Sequence, residues 1–241
     1  MLGRLKEEFY LNFIKEDRWR FLTKGIGTTL IITLSALVIG ILIGIVVASV
    51  RSTYDKNKEE YELRGGISVR IMKILNAICK LYLTIIRGTP VVVQLLIMYY
   101  LVFVNAKNGL PVAIATFGIN SGAYVAEIFR GGIMAIDNGQ FEAGRSLGFN
   151  YFQTMVHIII PQVFKNVLPT LCNEFIALLK ETSVCGYIAI QDLTKGIYII
   201  IGRTYSYYMP LLVLAGIYLL MVVILTKLVA KLEKRLRNSE R

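Results

Sequence analysis

Long uncharged runs alternate with short polar, mostly basic segments along this chain. No charge occurs in the 26 residues between Lys24 and Arg51 or in the 21 between Tyr205 and Lys227. A hydrocarbon core needs roughly 20 apolar residues in a helix, so the pattern predicts membrane spans at about 25–50, 81–105, 111–136, 167–190 and 209–230. The fourth contains Glu174, Lys180 and Glu181 and is the least apolar. An odd number of spans puts the two ends on opposite sides.

Basic residues orient the array. Segment 51–80 holds seven Lys/Arg and the end from Lys227 to Arg241 six, against one in 106–110 and two in 191–208. Excess Lys and Arg marks the cytoplasmic side, which predicts the C-terminus inside and the N-terminus outside. The first 24 residues resist this with six Lys/Arg, but they also carry Phe9, Phe13, Trp19 and Phe21. They are expected to form an interfacial helix on the outer surface. The expected organisation is an N-terminal interfacial segment 1–24, a transmembrane domain 25–230 with a cytoplasmic connection at about 137–166, and a basic cytoplasmic tail 231–241. Mixed charge ahead of the first span does not fit a cleavable leader, so that span is expected to remain in the mature protein.

Small residues recur every four positions: Ala36, Gly40, Gly44 and Ala48 in the first span, Gly118, Gly122 and Ala126 in the third. Such stripes let helix backbones approach closely in lipid. Asn120, Tyr124 and Glu127 form a polar stripe on the third span, with Arg130 one turn beyond; it reads either as a Glu127–Arg130 pair or as a polar wall beside a conduit. Glu174 has no partner at helical spacing and calls for one on another helix or a wet cavity. Ahead of the second span, Gly88-Thr89-Pro90 predicts a bend, Thr89 capping the helix that follows. Before it, Ile71, Ile74, Ile78 and Ile85 lie on one side and Lys73, Lys80 and Arg87 on another, as in an interfacial or partly inserted helix.

Composition adds exclusions. At 55% hydrophobic and 18% charged, with net charge +11, the chain concentrates its basic residues where topology explains them, so no nucleic-acid partner is expected. One histidine, His157, cannot build a multi-histidine metal site, and Cys79, Cys172 and Cys185 lack metal-ligand spacing. No Gly-Lys dipeptide occurs, so a phosphate-cradling P-loop is absent, as are nucleophile-elbow and zinc-protease motifs. The chain is expected to bind no cofactor and to be no enzyme; driving energy comes from a gradient or another subunit.

The connection "FEAGRSLGFNYFQTMVHIIIP", residues 141–161, is too patterned for a plain loop. Gln140–Leu147 is expected as a short helix stopped by Gly148, followed by a second helix from Asn150 that Pro161 interrupts, with a further break at Pro169.

Glu142-Ala143-Gly144, Gly148 and Ile158-x-Ile160-Pro161 resemble the E-A-A signature of bacterial ABC importer permeases, with Gly144 and Ile160 in place of alanine and leucine. "RGTPVVVQ", "AYVAEIFRGGI", "GQFEAGRSLG", "IIPQVFKNVLP" and "NEFIALLKETSV" occur in order and look like the polar amino acid uptake branch. The resemblance implies a type I importer permease: an all-α protein of the bacterial cytoplasmic membrane with five spans and a cytoplasmic coupling helix. It further implies a second permease copy, identical or not, two cytoplasmic ATPases carrying ATP and Mg, and an extracellular solute-binding protein meeting loops 106–110 and 191–208. Glu142, Ala143, Gly144 and Gly148 would contact the ATPase. Gln94, Asn120, Tyr124, Glu127 and Glu174 would line the amino acid pathway, and Gly88, Thr89, Pro90 and Pro161 would mark structural bends. The rival expectation is a secondary amino acid transporter driven by an ion gradient, which calls for an internal inverted repeat; none is evident. An embedded enzyme lacks chemistry, and a scaffold leaves the patterned connection unexplained.

Overall fold

Glycine and alanine let two helices meet almost backbone to backbone. Helix α1 (Leu2–Phe9) leads, through irregular turns, to α2 (Trp19–Lys56), and α3 (Lys58–Leu63) and α4 (Ile67–Gly88) follow. Then come α5 (Val91–Ile97), α6 (Gly109–Met134), α7 (Asn138–Ser146), α8 (Tyr151–Thr154), α9 (Ile160–Glu181), α10 (Leu193–Thr204) and α11 (Tyr208–Asn238). This computed structural model describes residues 2–63 and 65–238, and no strand occurs among them. Four stretches are long and apolar enough to cross a membrane: Trp19–Lys56, Gly109–Met134, Tyr151–Ile188 and Tyr208–Arg235. The bent pair Ile67–Gly88 and Val91–Val102 passes the same test when taken together.

The chain forms two compact units. One comprises 1–37, 91–117 and 175–230, the other 38–90, 118–174 and 231–241. In the first, Ile32, Ala36, Leu95, Phe117, Leu178 and Ile188 form a core from which solvent is excluded. Backbones touch here too, for a Cβ on Gly25 would lie 2.7 Å from Leu193 Cα and one on Gly196 2.6 Å from the Phe21 carbonyl oxygen. Segment 191–208, expected as an outward loop, is mostly helix α10. Asp192 caps it, its carboxylate accepting from the Thr194 and Lys195 amides at 3.2 and 3.0 Å.

In the second unit the expected stripes meet. A Cβ on Gly40 would come within 3.0 Å of Ser121, one on Gly44 would overlap Val125, and one on Gly122 would sit 2.9 Å from Ile43. Because Gly40 faces Ser121 and Gly44 faces Val125, α2 and α6 run in the same direction there. Val125, Phe129, Ile159, Val163 and Val167 complete this core.

Several boundaries differ from expectation. The N-terminal segment is not one helix: Glu16 and Asp17 take left-handed backbone (φ 58° and 54°). Buried Arg18 holds that turn by donating to the Leu11 carbonyl at 2.7 Å and to Glu16 at 3.0 Å. This guanidinium keeps the Glu16 carboxyl below the usual range. The fourth span begins well before 167, and neither Pro161 nor Pro169 breaks it; both lie in helix α9. A π-helical turn at Met155–Ile159 directly precedes Pro161, and the Ile160 amide donates five residues back to Met155. Pro161 therefore enters where the ladder already shifts register, and its missing N–H costs less than in a regular interior. At the far end α11 continues to Asn238, so no break separates it from the expected tail, whose residues 239–241 lie outside the described residues.

Replacing Gly44 by leucine should overpack the α2–α6 seam and destabilise the protein by about 1–3 kcal/mol. Thermal unfolding in detergent should register this as a lowered midpoint, and adding Val125→Ala should recover part of it. An unshifted midpoint would mean the backbones do not meet here.

Candidate functional site

Helix α7 is short and fixed at both ends. At its start the Asp137 carboxylate accepts from the Gly139 amide at 2.6 Å. At its end Gly148 adopts φ +79°, a conformation that favours glycine. The Gly148 amide donates to Arg145 at 2.9 Å and the Phe149 amide to Gly144 at 3.0 Å. These paired bonds form a Schellman motif. Two residues later the next helix starts with a capping box: Asn150 accepts from the Gln153 amide at 2.9 Å, and the Gln153 side chain accepts from the Asn150 amide at 3.0 Å. Helix, reversal and helix thus form one rigid element.

Its faces divide cleanly. Glu142, Ala143 and Gly148 are exposed, whereas Gly144 is buried. A Cβ on Gly144 would lie 2.5 Å from Thr154 Cγ2 and 2.6 Å from its Oγ1. The glycine that departs from the E-A-A pattern therefore admits the threonine of α8. Phe141 stacks on Tyr151 with ring centres 6.4 Å apart, and Lys56 Nζ sits 3.5 Å from the Phe141 ring centre. The Tyr151 hydroxyl meets Thr53 at 3.4 Å. Between the end of α2 and α7–α8 lies a cavity of about 610 Å³ lined by Lys56, Asn57, Glu142, Arg145 and Tyr151 among others. None of the α2 contacts has a signal in the connection itself. His157 is exposed and its Nδ1 lies 3.0 Å from the Gln153 carbonyl oxygen.

Of the residues expected along a pathway, Asn120, Tyr124, Glu127 and Glu174 belong to this unit, and Gln94 to the other. Asn120 is buried. Glu174 is half-buried and accepts from the Ser121 hydroxyl at 2.9 Å, the partner on another helix that its isolation called for. Glu127 is not confined to the Arg130 pair: Arg130 approaches it at 3.8 Å and Arg87 at 3.5 Å. Arg130 engages Asp55 more closely, at 2.7 and 2.8 Å. The Asp55–Arg130 and Arg87–Glu127 pairs had no signal in the sequence, because the partners lie far apart in the chain. Arg51 also reaches this cluster, donating to Asn76 at 2.6 Å.

At Gly88–Pro90 helix α4 ends and α5 begins. Thr89, extended at φ −124° and ψ 144°, obeys the restriction imposed on a residue before proline. Its hydroxyl donates to the Ile85 carbonyl at 2.8 Å, so it serves the helix that ends there.

A multi-span helical protein whose connection carries a short helix capped at both ends has the build of a permease subunit. Residues 64–238 match the family described as binding-protein-dependent transport system inner membrane component, and the chain belongs to that family. It is therefore a multi-pass membrane translocation subunit of an ABC transporter, not a catalytic one. Relatives include the putative glutamine transport system permease protein GlnP of Rickettsia bellii (strain RML369-C), 34% identical over 220 residues, covering 90% of this chain and 93% of that protein. The arginine transport system permease protein ArtQ of Bacillus subtilis (strain 168) is 32% identical over 231 residues, covering 91% and 94%. A solved amino acid ABC transporter crystallised with histidines aligns at TM-score 0.76 and 37% identity over 90% of this chain and 94% of that one. The MetNI methionine ABC transporter in an inward-facing form shares the fold at TM-score 0.73 and 19% identity, covering 92% and 99%.

Gly144→Ala should destabilise the α7–α8 element and Thr154→Ala should relieve most of that loss. A double-mutant cycle on thermal stability is expected to give a coupling of about 0.5–3 kcal/mol. Additive effects would dissolve the proposed fit.

Proposed function

We propose that the chain is the membrane subunit of an importer of polar amino acids, working by alternating access driven by ATP hydrolysis on separate cytoplasmic subunits. The carrying observation is α7: exposed Glu142 and Ala143 on a short helix clamped by a cap and a Schellman motif. A helix that transmits motion must move as a body, and these bonds supply that stiffness. The permease pairs with a second copy, identical or different, and with two ATPases that hold ATP and Mg. An extracellular binding protein delivers substrate at 106–110 and 191–208. On this reading the C-terminus and the α7 side are cytoplasmic and the N-terminus is outside, in keeping with the distribution of basic residues.

The relatives' names support the substrate class, since glutamine, arginine and L-cystine systems are among them. Asn120, Tyr124, Glu127, Glu174 and Gln94 are proposed to contribute to the pathway. Glu174, which accepts from the Ser121 hydroxyl at 2.9 Å, is proposed to favour a cationic substrate through its negative charge.

Two variants test this in reconstituted vesicles. Glu142→Lys should abolish copurification of the ATPase and lower uptake at least about tenfold, equivalent to ~1.4 kcal/mol; retained uptake without any ATPase would support a gradient-driven transporter instead. Glu174→Gln preserves an acceptor for Ser121 while removing charge, so uptake of arginine and lysine should fall more than that of glutamine. Unchanged uptake of every amino acid would remove Glu174 from the pathway.

A further inference from the structure

A second cavity, of about 430 Å³, opens in the unit that carries α4, lined by Arg51, Lys80, Thr84, Arg87 and Glu127 among others. Lys80, Thr84 and Arg87 fall on one face of α4 at spacings of four and three. Arg51 closes the cavity from α2 and Glu127 from α6. Among the described residues, two acids balance the cations gathered here. Asp55 is shared by Arg130 and, at 3.8 Å, Arg51; Glu127 is shared by Arg87 and Arg130. Lys80 makes no ion pair among the described residues, so four cations face two carboxylates.

Arg51 is the most telling member. It is 91% buried, being 9% exposed, and its Nε has no hydrogen-bond partner among the described residues. A buried guanidinium with an unmatched donor favours negative charge close by, and this side chain forms part of the cavity wall.

The same helix indicates which anion. Beside the Lys80–Thr84–Arg87 face, Ile74, Ile78, Leu81 and Ile85 are exposed, each between 52% and 60%. Cations and bare aliphatic side chains run side by side along α4, the pairing needed by a molecule with a charged head and hydrocarbon tails. A neutral or cationic amino acid brings no negative net charge to offset the surplus, and no amino acid brings a tail for the aliphatic stripe.

We propose that this cavity binds the phosphate of an anionic phospholipid, with Lys80 and Arg87 as the gripping cations, Arg51 as a positive charge in its wall and the α4 aliphatic stripe holding the acyl chains. Basic pockets between membrane helices on the cytoplasmic side recognise lipid headgroups in this way. Glu127 and Asp55 then act as counter-ions that orient the cations.

The full-length permease in its transporter complex is extracted from bilayers of equal phosphatidylglycerol and phosphatidylcholine, and bound lipid is measured by native mass spectrometry. The wild type should retain phosphatidylglycerol preferentially. Lys80→Gln, at an exposed side chain, should weaken retention about fivefold and Arg87→Gln by a similar factor, as expected for one cation at an anionic surface. Arg51→Lys, which keeps the charge but loses the fork of donors, should also weaken it; circular dichroism checks its folding, and the two surface variants decide the matter if it fails. Adding inorganic phosphate or a polar amino acid should not displace the lipid. Equal retention by wild type and both surface variants would overturn the proposal. So would displacement by phosphate alone, by an amino acid, or a change in permease dimerisation in place of lipid loss. Because the readout is bound lipid rather than uptake, it stands or falls independently of the transported substrate.

Discussion

The close approach of α2 to α6 sets most of the second unit. With Gly40 against Ser121 and Gly44 against Val125, neither helix can rotate or slide without driving side chains into backbone. In lipid there is little hydrophobic force to pull helices together, so such contact has to come from small residues and dispersion. Fixing these two helices parallel also fixes what lies one to three turns further on. Asp55 of α2 comes within reach of Arg130 of α6. The charge cluster thus follows from the glycine seam.

A different constraint governs α7 and α8. Little hydrophobic core is available to so short a pair, so backbone and capping bonds supply the rigidity instead, and Gly144 and Thr154 interlock where an alanine would not fit beside the threonine. Contacts of Phe141 with Lys56 and Tyr151, and of Tyr151 with Thr53, tie that pair to the end of α2. The α7–α8 pair therefore touches the same helix that carries the seam.

Features that depend on local chemistry were legible in the sequence. Gly148 had to be a left-handed stop because the polar run resumes at once with Asn150, and the four-residue spacing of Gly40, Gly44 and Gly122 announced close packing. The bend at Gly88–Pro90 follows from a proline's effect on its predecessor. Features that depend on long-range geometry were not legible. The i, i+3 spacing of Glu127 and Arg130 suggested a closed pair, but Asp55, 75 residues away from Arg130 in sequence, takes the shorter bonds. Pro161 signalled a break, yet a π-helical turn just upstream accommodates it. The tight approaches of Gly25 to Leu193 and Gly196 to Phe21 gave no periodic signal at all.

The break between α4 and α5 raises the question of how a membrane segment tolerates interrupted backbone. Carbonyls at a helix end are expensive in hydrocarbon unless something donates to them. Thr89 supplies one donor to Ile85 from within the interruption. Arg87, in the last turn of α4, places its positive charge where the aligned peptide dipoles leave partial negative charge, a favourable position for a cation. The guanidinium is then stabilised from two sides, by the helix end and by Glu127 at 3.5 Å. A bend that would otherwise be a liability thereby becomes the feature that holds a charged residue inside a membrane helix, which explains why arginine, glycine, threonine and proline stand together in this order.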